Sequence, residues 1–148
     1  MEIIMREATE ADLPDILALY SQLGQDDGAV LPLEQAQKIF SKIKQYPDYS
    51  LHLATIGNRA VGIFALLIMD NFGHLGAPSA VLEDVVVAAD LRGQGVGSRM
   101  MRYANELCQQ KGCYKMTFSS NINRLDAHRF YESLGFSKHG YSFYITYE

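Results

Sequence analysis

The chain has 148 residues, 48% of them hydrophobic and 20% charged, with a formal net charge of −4 at pH 7. These values exclude a fully disordered chain, a collagen and a coiled coil, and they predict one globular domain over residues 1–148. Residues 1–90 hold five basic and 13 acidic side chains, whereas residues 91–148 hold eight basic and four acidic ones. The acidic excess of the whole chain argues against a nucleic-acid partner. The separation of acidic and basic residues into two parts of the chain predicts two ligands of opposite charge.

Cysteine usage and hydropathy predict where the protein works. Cys108 and Cys113 do not form a C-x-x-C motif, so we expect free thiols in a reducing compartment. The longest apolar run, residues 63–69, is too short to span a bilayer, and the first residues lack a signal-peptide pattern. The histidines show no metal-ligand spacing. We therefore expect a cytoplasmic protein with no metal and no membrane partner.

The first half of the chain predicts a strand, two helices and a β-hairpin. Residues 2–7 favour a strand, and Thr9 with Asp12 forms a capping-box pattern before the first helix. That helix has its apolar positions at Leu13, Ile16, Leu17 and Tyr20, and the second helix has them at Ala36, Ile39, Phe40 and Ile43. Two strands, residues 50–56 and 60–69, flank Gly57-Asn58-Arg59, and residues 70–78 form a loop.

The second half alternates strand and helix. In the valine-rich strand 79–88, simple alternation predicts Glu83 and Val85 on one face and Asp84 and Val86 on the other. We then expect a helix from Val96 to near Gly112, a strand at 114–120 and a helix ending at Gly135. A closing strand at 141–147 follows, with a short extra strand at 136–139. The helix between strands 79–88 and 114–120 requires these two strands to be parallel.

A glycine-rich turn joins the valine strand to the long helix. Its residues are Arg92, Gly93, Gln94, Gly95, Val96, Gly97 and Ser98. Main-chain N–H groups before a helix bind anions, glycines allow close approach, and an arginine adds a fixed cation. A diphosphate fits this arrangement, whereas the lysine of a P-loop is missing and the glycine spacing differs from a dinucleotide fingerprint. The alternative is a tight turn whose glycines serve packing alone.

R-G-Q-G-V-G after the valine strand resembles the acetyl-CoA signature of the GNAT N-acetyltransferases, and residues 127–136 resemble their second signature, A-x-x-[FL]-Y-x-x-x-G-F. The resemblance covers nearly all of the chain and implies an α/β fold of the α+β type. That fold has a mixed central sheet of six to seven strands, a splayed parallel pair and flanking helices. Residues 82–87 and 112–115 are also similar to glucosamine-6-phosphate N-acetyltransferases, but Ala127 stands where those enzymes have asparagine, which argues against a phosphosugar acceptor.

The resemblance implies a place for the co-substrate acetyl-CoA. The main-chain groups from Arg92 to Ser98 would hold its diphosphate, and Val85, Val86 and Val87 would run beside its pantetheine arm, with the Val86 N–H as oxyanion donor. Asn123 is a candidate cofactor contact, although turn chemistry explains an asparagine there equally well.

The expected reaction is direct attack of a neutral primary amine on a thioester, through a tetrahedral intermediate. Tyr131 is the candidate general acid because of its place in the second signature, and its alternative is a core tyrosine. Glu83 is the candidate base, with Asp84 or a water relay as alternatives, because carboxylates in an apolar strand are seldom buried unpaired.

The sequence leaves the acceptor open. We expect a small-molecule amine whose pocket uses residues 24–32, including Asp26 and Asp27, residues 70–78 and the tyrosine-rich C-terminal segment. Three alternative functions are a non-catalytic acyl-CoA sensor, a protein N-terminal or lysine acetyltransferase and a nucleotide-binding domain. A homodimer is expected, because an aromatic terminal strand can pair at a sheet edge.

Overall fold

A computed structural model describes residues 1–147, which divide into two compact units, residues 1–117 and the described residues from 118 onward. The first unit holds one sheet of five strands in the order β1-β2-β3-β4-β5. The strands are β1 Ile4–Glu7, β2 Tyr49–Ile56, β3 Arg59–Met69, β4 Ser79–Val87 and β5 Lys115–Thr117. The helices of this unit are α1 Leu13–Tyr20, α2 Leu33–Ile43 and α3 Val96–Gln110.

The sheet is mixed, as predicted. β1 to β4 pair antiparallel in sequence order, and the tight turn between β2 and β3 makes the predicted hairpin. β4 and β5 pair parallel, with α3 as the crossover between them. The expectation of six to seven strands is wrong: five strands form, and β5 covers three residues rather than the predicted 114–120.

The core lies on both sides of β3. Residues 61–66 of this strand are buried, so both faces of the sheet are covered. α3 covers one face, where Tyr103 packs edge-on against the His52 ring and Met100 contacts Gly62. α1 packs on β3 and β4 and also contacts α2. Because α3 covers one face of the sheet, we assign α1 to the opposite face. Buried Leu13, Ile16 and Leu19 of α1 follow the predicted apolar stripe.

The entry to α1 is fixed by a charged pair. The Asp12 carboxylate accepts a hydrogen bond from the Thr9 main-chain N–H at 2.7 Å, which confirms the capping-box pattern. Arg6 donates two further hydrogen bonds to the same carboxylate, at 2.7 and 2.8 Å. These contacts hold the pKa of Asp12 far below its usual range, Arg6 making the largest contribution. β1 and α1 are thereby joined by a bidentate ion pair.

Residues 118–147 of the second unit contain one helix, α4 Leu125–Ser133. Gly135 follows it with φ 96°, and the Phe136 N–H donates to the Tyr131 carbonyl, so the predicted stop at Gly135 is confirmed. The predicted strands 136–139 and 141–147 do not form. Alternation specifies which side chains share a face, but a strand forms only where a neighbouring strand pairs with it, and neither segment pairs with another strand of residues 1–147.

Candidate functional site

The glycine turn lies where the sequence places it, between β4 and α3. A single 3₁₀ turn, Ala89–Leu91, precedes it, and Gly93 and Gly95 take φ values of 78° and 88°, which only glycine adopts freely. The Ala89 N–H donates to the Gln22 side chain at 2.9 Å, which ties the start of the turn to the segment after α1. The chain therefore enters α3, a helix of 15 residues, through glycines whose backbone lies in the left-handed region.

The start of α3 has the properties of an anion site. No side chain of the described residues caps this end, and its first turn contains no acidic residue. The first N–H groups of a helix lack partners within the helix, so they remain available to a ligand. A Cβ atom at Gly93 or Gly95 would meet no atom within 4 Å, which shows open space above the turn. These features fit the diphosphate of CoA.

Arg92 gives the turn a positive charge that no acidic side chain of the described residues balances. Arg92 is exposed, and it makes no ion pair within residues 1–147. Asp90, the nearest acidic residue in sequence, is held by Arg59 through hydrogen bonds of 2.9 and 2.7 Å. Because Arg59 balances Asp90, the charge of Arg92 is left for an anionic ligand.

β4 has a free edge beside β5. The ladder between the two strands pairs residues 79–81 with residues 115–117 and stops there. Beyond Val81, no strand in the described part of the first unit pairs with this edge of β4. β3 continues to pair with the opposite edge of β4. Val85, Val86 and Val87 therefore present main-chain groups along an open edge that runs toward the glycine turn.

A β-bulge in β4 corrects the predicted alternation around the two carboxylates. Ala65 pairs with Glu83 and Ile63 with Val86, so Asp84 and Val85 together stand opposite Phe64. Glu83 and Val86 therefore share one face, because residues 63 and 65 of β3 do. Asp84 sits in the left-handed region at φ 54°. The sequence does not reveal this bulge, because valines continue on both sides of it and no residue type marks the extra position.

The two carboxylates differ in environment. Glu83 is exposed, whereas Asp84 is partly buried and burial raises its pKa. Burial raises the pKa of Tyr20, at the end of α1, and the charge of Asp84 raises it further. The pKa of Tyr49 in β2 rises for the same reasons, with Glu83 adding to the effect. Sequence reasoning missed Tyr49 and treated Tyr20 as a core residue of α1.

Of the remaining candidates, Tyr131 and Asn123 lie in the second unit, and Asp26 and Asp27 lie in the first. The Tyr131 ring contacts Phe118 edge-on at a centroid distance of 4.6 Å and is itself partly buried. Asn123 is exposed, and its N–H donates to the Asn121 side chain at 2.9 Å, which is the turn chemistry weighed as its alternative. Asp26 and Asp27 of the first unit are exposed in a loop, with φ values of 48° and 57°.

Residues 1–147 contain neither a cluster of metal-binding side chains nor a helix that could span a membrane. Nowhere in this range do three or more His, Cys, Asp or Glu side chains come together as a metal would require. Among the helices of the same range, none has the length and apolar character needed to cross a membrane. Cys108 and Cys113 are free thiols, and burial raises the pKa of Cys108 to about 12.

A sheet that opens at a parallel pair, with a glycine turn and a helix N-terminus after the open strand, has a shape that fits an extended phosphorylated cofactor. Comparison with known proteins identifies the family. Residues 13–136 match the model of the Acetyltransferase (GNAT) family, and the chain belongs to it. It is accordingly an N-acetyltransferase of the family whose members use acetyl-CoA as co-substrate.

Individual relatives agree with this assignment. The chain is 28% identical over 139 residues to aminoalkylphosphonate N-acetyltransferase of Salmonella typhimurium, covering 94% of this chain and 88% of the relative. It is 38% identical over 81 residues to glucosamine 6-phosphate N-acetyltransferase of Trypanosoma brucei brucei, covering 55% of this chain and 53% of the relative. A solved structure from Agrobacterium tumefaciens str. C58 superposes with a TM-score of 0.92 at 31% identity, covering 97% of this chain and 99% of that one.

Proposed function

We propose that the protein transfers the acetyl group of acetyl-CoA directly to the primary amine of a small molecule, and that residues 1–148 act as a single N-acetyltransferase domain. The observation that carries this proposal is the open edge of β4, which leads through a single 3₁₀ turn into the glycine turn. Acetyl-CoA, when bound, supplies an activated acetyl group as a thioester. Val85, Val86 and Val87 would pair with its pantetheine arm, and residues Arg92 to Ser98 would receive its diphosphate.

The protein's own groups would then move protons and stabilise charge. An alkyl amine resembles lysine, whose pKa is near 10.4, so a proton must leave before the nitrogen can attack. We assign that proton to the exposed Glu83, directly or through water. The neutral amine attacks the thioester carbon, the C–N bond forms, and the oxygen of the resulting tetrahedral intermediate accepts a hydrogen bond from the Val86 N–H. The C–S bond then breaks, Tyr131 donates its phenolic proton to the departing sulfur, and the extra proton on the nitrogen passes through water to the Tyr131 phenolate. Asn123 is proposed as a further cofactor contact.

The named relatives support an amine acceptor without choosing one. One acts on an aminoalkylphosphonate and another on glucosamine 6-phosphate, and both substrates combine an amine with an anionic group. In this chain the acidic groups nearest the proposed transfer site are Glu83 and Asp84. A cationic small-molecule amine therefore suits the site better than a phosphorylated one.

A thiol-release assay tests the proposal. The full chain is incubated with acetyl-CoA and a panel of alkyl amines, amino sugars, polyamines, aminoglycosides and short peptides, and free CoA is measured. Release with at least one non-peptide amine, with an equal yield of acetylated amine, is the expected result. CoA binding without release by any amine would favour the sensor, release with peptides alone would favour a protein acetyltransferase, and calorimetric binding of ATP but not CoA would favour the nucleotide-binding alternative.

We also propose a homodimer in a reducing cytoplasmic setting. The support for the dimer is the C-terminal aromatic segment, residues 141–147, where Tyr141, Phe143 and Tyr147 are 91%, 89% and 86% exposed. Such a run of apolar side chains is typical of an interaction surface, and a second copy of the chain carries the same segment. The free thiols of Cys108 and Cys113 suit a reducing compartment. Sedimentation equilibrium of the wild type and of Phe143→Ser tests the dimer, and a monomeric wild type would exclude it.

A further inference from the structure

The last turn of α3 ends in a Schellman motif that brings together the two cysteines of the chain. Gly112 follows the helix in the left-handed region, at φ 74°. The Gly112 N–H donates to the Gln109 carbonyl at 3.1 Å, and the Cys113 N–H donates to the Cys108 carbonyl at 3.0 Å. These two hydrogen bonds define the motif, in which the side chains at the positions of Cys108 and Cys113 commonly pack against each other.

The hydrogen bond between Cys113 and Cys108 also limits the distance between their Cα atoms. Standard bond lengths added to this hydrogen bond set an upper limit of about 7 Å, which is reached only if all the atoms lie on one line. Disulfides join Cα atoms that are about 4.4–6.8 Å apart. A bent arrangement therefore places the two residues within the range that a disulfide spans.

The two thiols differ in their access to solvent. Cys108 is 4% exposed, and its Sγ atom lies 3.7 Å from the Sδ atom of Met116 on β5. Cys113 is only partly buried. Burial raises the pKa of both thiols, but for Cys113 a hydrogen bond from Cys108 and the charge of Lys111 oppose this effect. A reagent in solution therefore reaches Cys113 first, and Cys108 is the thiol behind it.

We propose that Cys108 and Cys113 form an oxidative modification site, called here the α3 thiol pair, which a peroxide closes into an intramolecular disulfide and a small thiol reopens. The inference goes beyond the proposed function and does not rest on it. In a reducing compartment the two thiols stay free, as they are in this structure, and the pair closes only when peroxide is present. The alternative is that the two cysteines serve packing alone.

The reaction uses one peroxide molecule as its oxidant. The Cys113 thiolate attacks one peroxide oxygen, the O–O bond breaks, and the departing hydroxide takes up the proton that the thiol lost and leaves as water. Cys113 is then a sulfenic acid. The Cys108 sulfur attacks the Cys113 sulfur, the S–O bond breaks, and the Cys108 proton leaves with the hydroxide as a second water. Two thiols are thereby oxidised to one disulfide, and the peroxide is reduced to two waters.

The position of Cys108 determines how the oxidation ends. A sulfenic acid without a neighbouring thiol is oxidised further to a sulfinic acid, which small thiols do not reduce. Because Cys108 lies beside Cys113, it captures the sulfenic sulfur and keeps the modification reversible. The disulfide also restricts the unfolded chain while the folded motif stays in place, so the oxidised protein should unfold at a higher urea concentration than the reduced protein.

Peptide mapping of the full chain tests the α3 thiol pair. The reduced protein, freed of reductant, is treated with hydrogen peroxide and digested with trypsin without reduction. Cleavage after Arg102, Lys111 and Lys115 separates the two cysteines, and neither peptide contains a methionine that could take up oxygen. We expect residues 103–111 and 112–115 to be joined by a disulfide that dithiothreitol opens. Iodoacetamide should label Cys113 of the reduced protein about tenfold faster than Cys108.

Three variants separate the two thiols from their surroundings. Cys108→Ser removes the second thiol, so the peptide 112–115 should gain oxygen atoms that dithiothreitol does not remove. Cys113→Ser leaves only the buried Cys108, which should stay unmodified at the same peroxide dose. Met116→Leu is the matched control, because it changes the neighbouring sulfur and keeps both thiols, and it should form the disulfide as the wild type does.

Four results would each overturn the α3 thiol pair. They are no modification of the wild type, addition of oxygen to its cysteines without the disulfide, a disulfide between two chains in place of one within a chain, and an oxidised wild type that unfolds at a lower urea concentration than the reduced protein. None of these measurements depends on CoA binding or acetyl transfer, so the thiol-release assay decides the proposed function separately.

Discussion

Gly62 of β3 lies directly against Met100 of α3. A methyl group placed on Gly62 would come within 2.5 Å of the Met100 Sδ atom and 3.2 Å of the Val86 carbonyl oxygen. Met100 is fully buried, and the Val86 oxygen belongs to the backbone, so a Cβ atom at position 62 would require both neighbours to shift. The absence of a side chain at position 62 is therefore what allows the helix after the glycine turn to pack closely on the sheet.

Gly62→Ala is accordingly expected to destabilise the protein. Forcing an extra carbon into a well-packed core costs about 1–3 kcal/mol, and urea unfolding of the variant should show a loss in this range. Gly73→Ala is the control, because a Cβ atom there meets nothing within 4 Å and its φ of −64° suits any residue. Equal stability of Gly62→Ala and the wild type would mean that α3 can shift away from β3.

Arg92→Ala should weaken CoA binding. A charge-assisted hydrogen bond to a phosphate is worth about 1.5–3 kcal/mol, so the dissociation constant measured by calorimetry should rise at least tenfold. The wild-type affinity should also fall more steeply with added salt than that of the variant. Arg102→Ala is the matched control, since Arg102 is an exposed arginine of α3, the helix that follows the turn. If both substitutions weaken CoA binding equally, Arg92 acts through the overall positive charge of this region and not through a direct contact with the phosphates.

Much of the site could be predicted from sequence because its signals are local. The strand, the glycine turn and α3 follow one another within residues 79–110, and each has its own pattern of valines, glycines or helical spacing. The parallel pairing of β4 with β5 followed from the crossover helix alone. The limits of β5 did not, because the end of a ladder depends on where the partner strand diverges.

Two features could not be predicted for a physical reason. The bulge at Asp84 depends on the register between β3 and β4, and register is a relation between distant residues that alternation in one strand does not reveal. The segment 141–147 alternates as well as any strand in the chain, yet it forms none, because alternation alone does not supply the pairing partner that a strand needs.

Tyr131→Phe should lower kcat strongly and leave CoA binding unchanged. The substitution removes only the hydroxyl group, so the ring contact with Phe118 at 4.6 Å is kept and the fold should be undisturbed. General acid catalysis contributes about 10²- to 10⁴-fold, and a fall in kcat of at least 10²-fold is expected. Steady-state kinetics with the best amine of the panel, together with calorimetry of CoA, measure both quantities. Tyr103→Phe, on α3 where the ring packs against His52, is the control, and a fall of less than threefold in Tyr131→Phe would remove Tyr131 from the reaction.

His52 should make the stability of the fold depend on pH. The ring is 5% exposed, stacks on Phe64 at a centroid distance of 5.2 Å and has an Nδ1 atom without a partner in the described residues. Burial lowers the pKa of His52, against the smaller opposing effects of Glu7 and Asp48. Below pH 6.5, His52 therefore binds a proton in the unfolded chain but not in the folded protein. The free energy of unfolding consequently falls as the pH falls.

The expected size of this effect follows from linkage. Between pH 7.5 and pH 5.5 the wild type should lose up to about 1.4 kcal/mol more stability than His52→Gln, which carries no titrating group at that position. Urea unfolding at the two pH values measures the difference. His128→Gln serves as the control, because His128 lies on α4, where its ring contacts the Asn121 carbonyl at 2.8 Å in an exposed turn, and it should keep the wild-type pH dependence. If His52→Gln and the wild type lose equal stability, the buried ring is protonated in the folded state and the proposed cause is wrong.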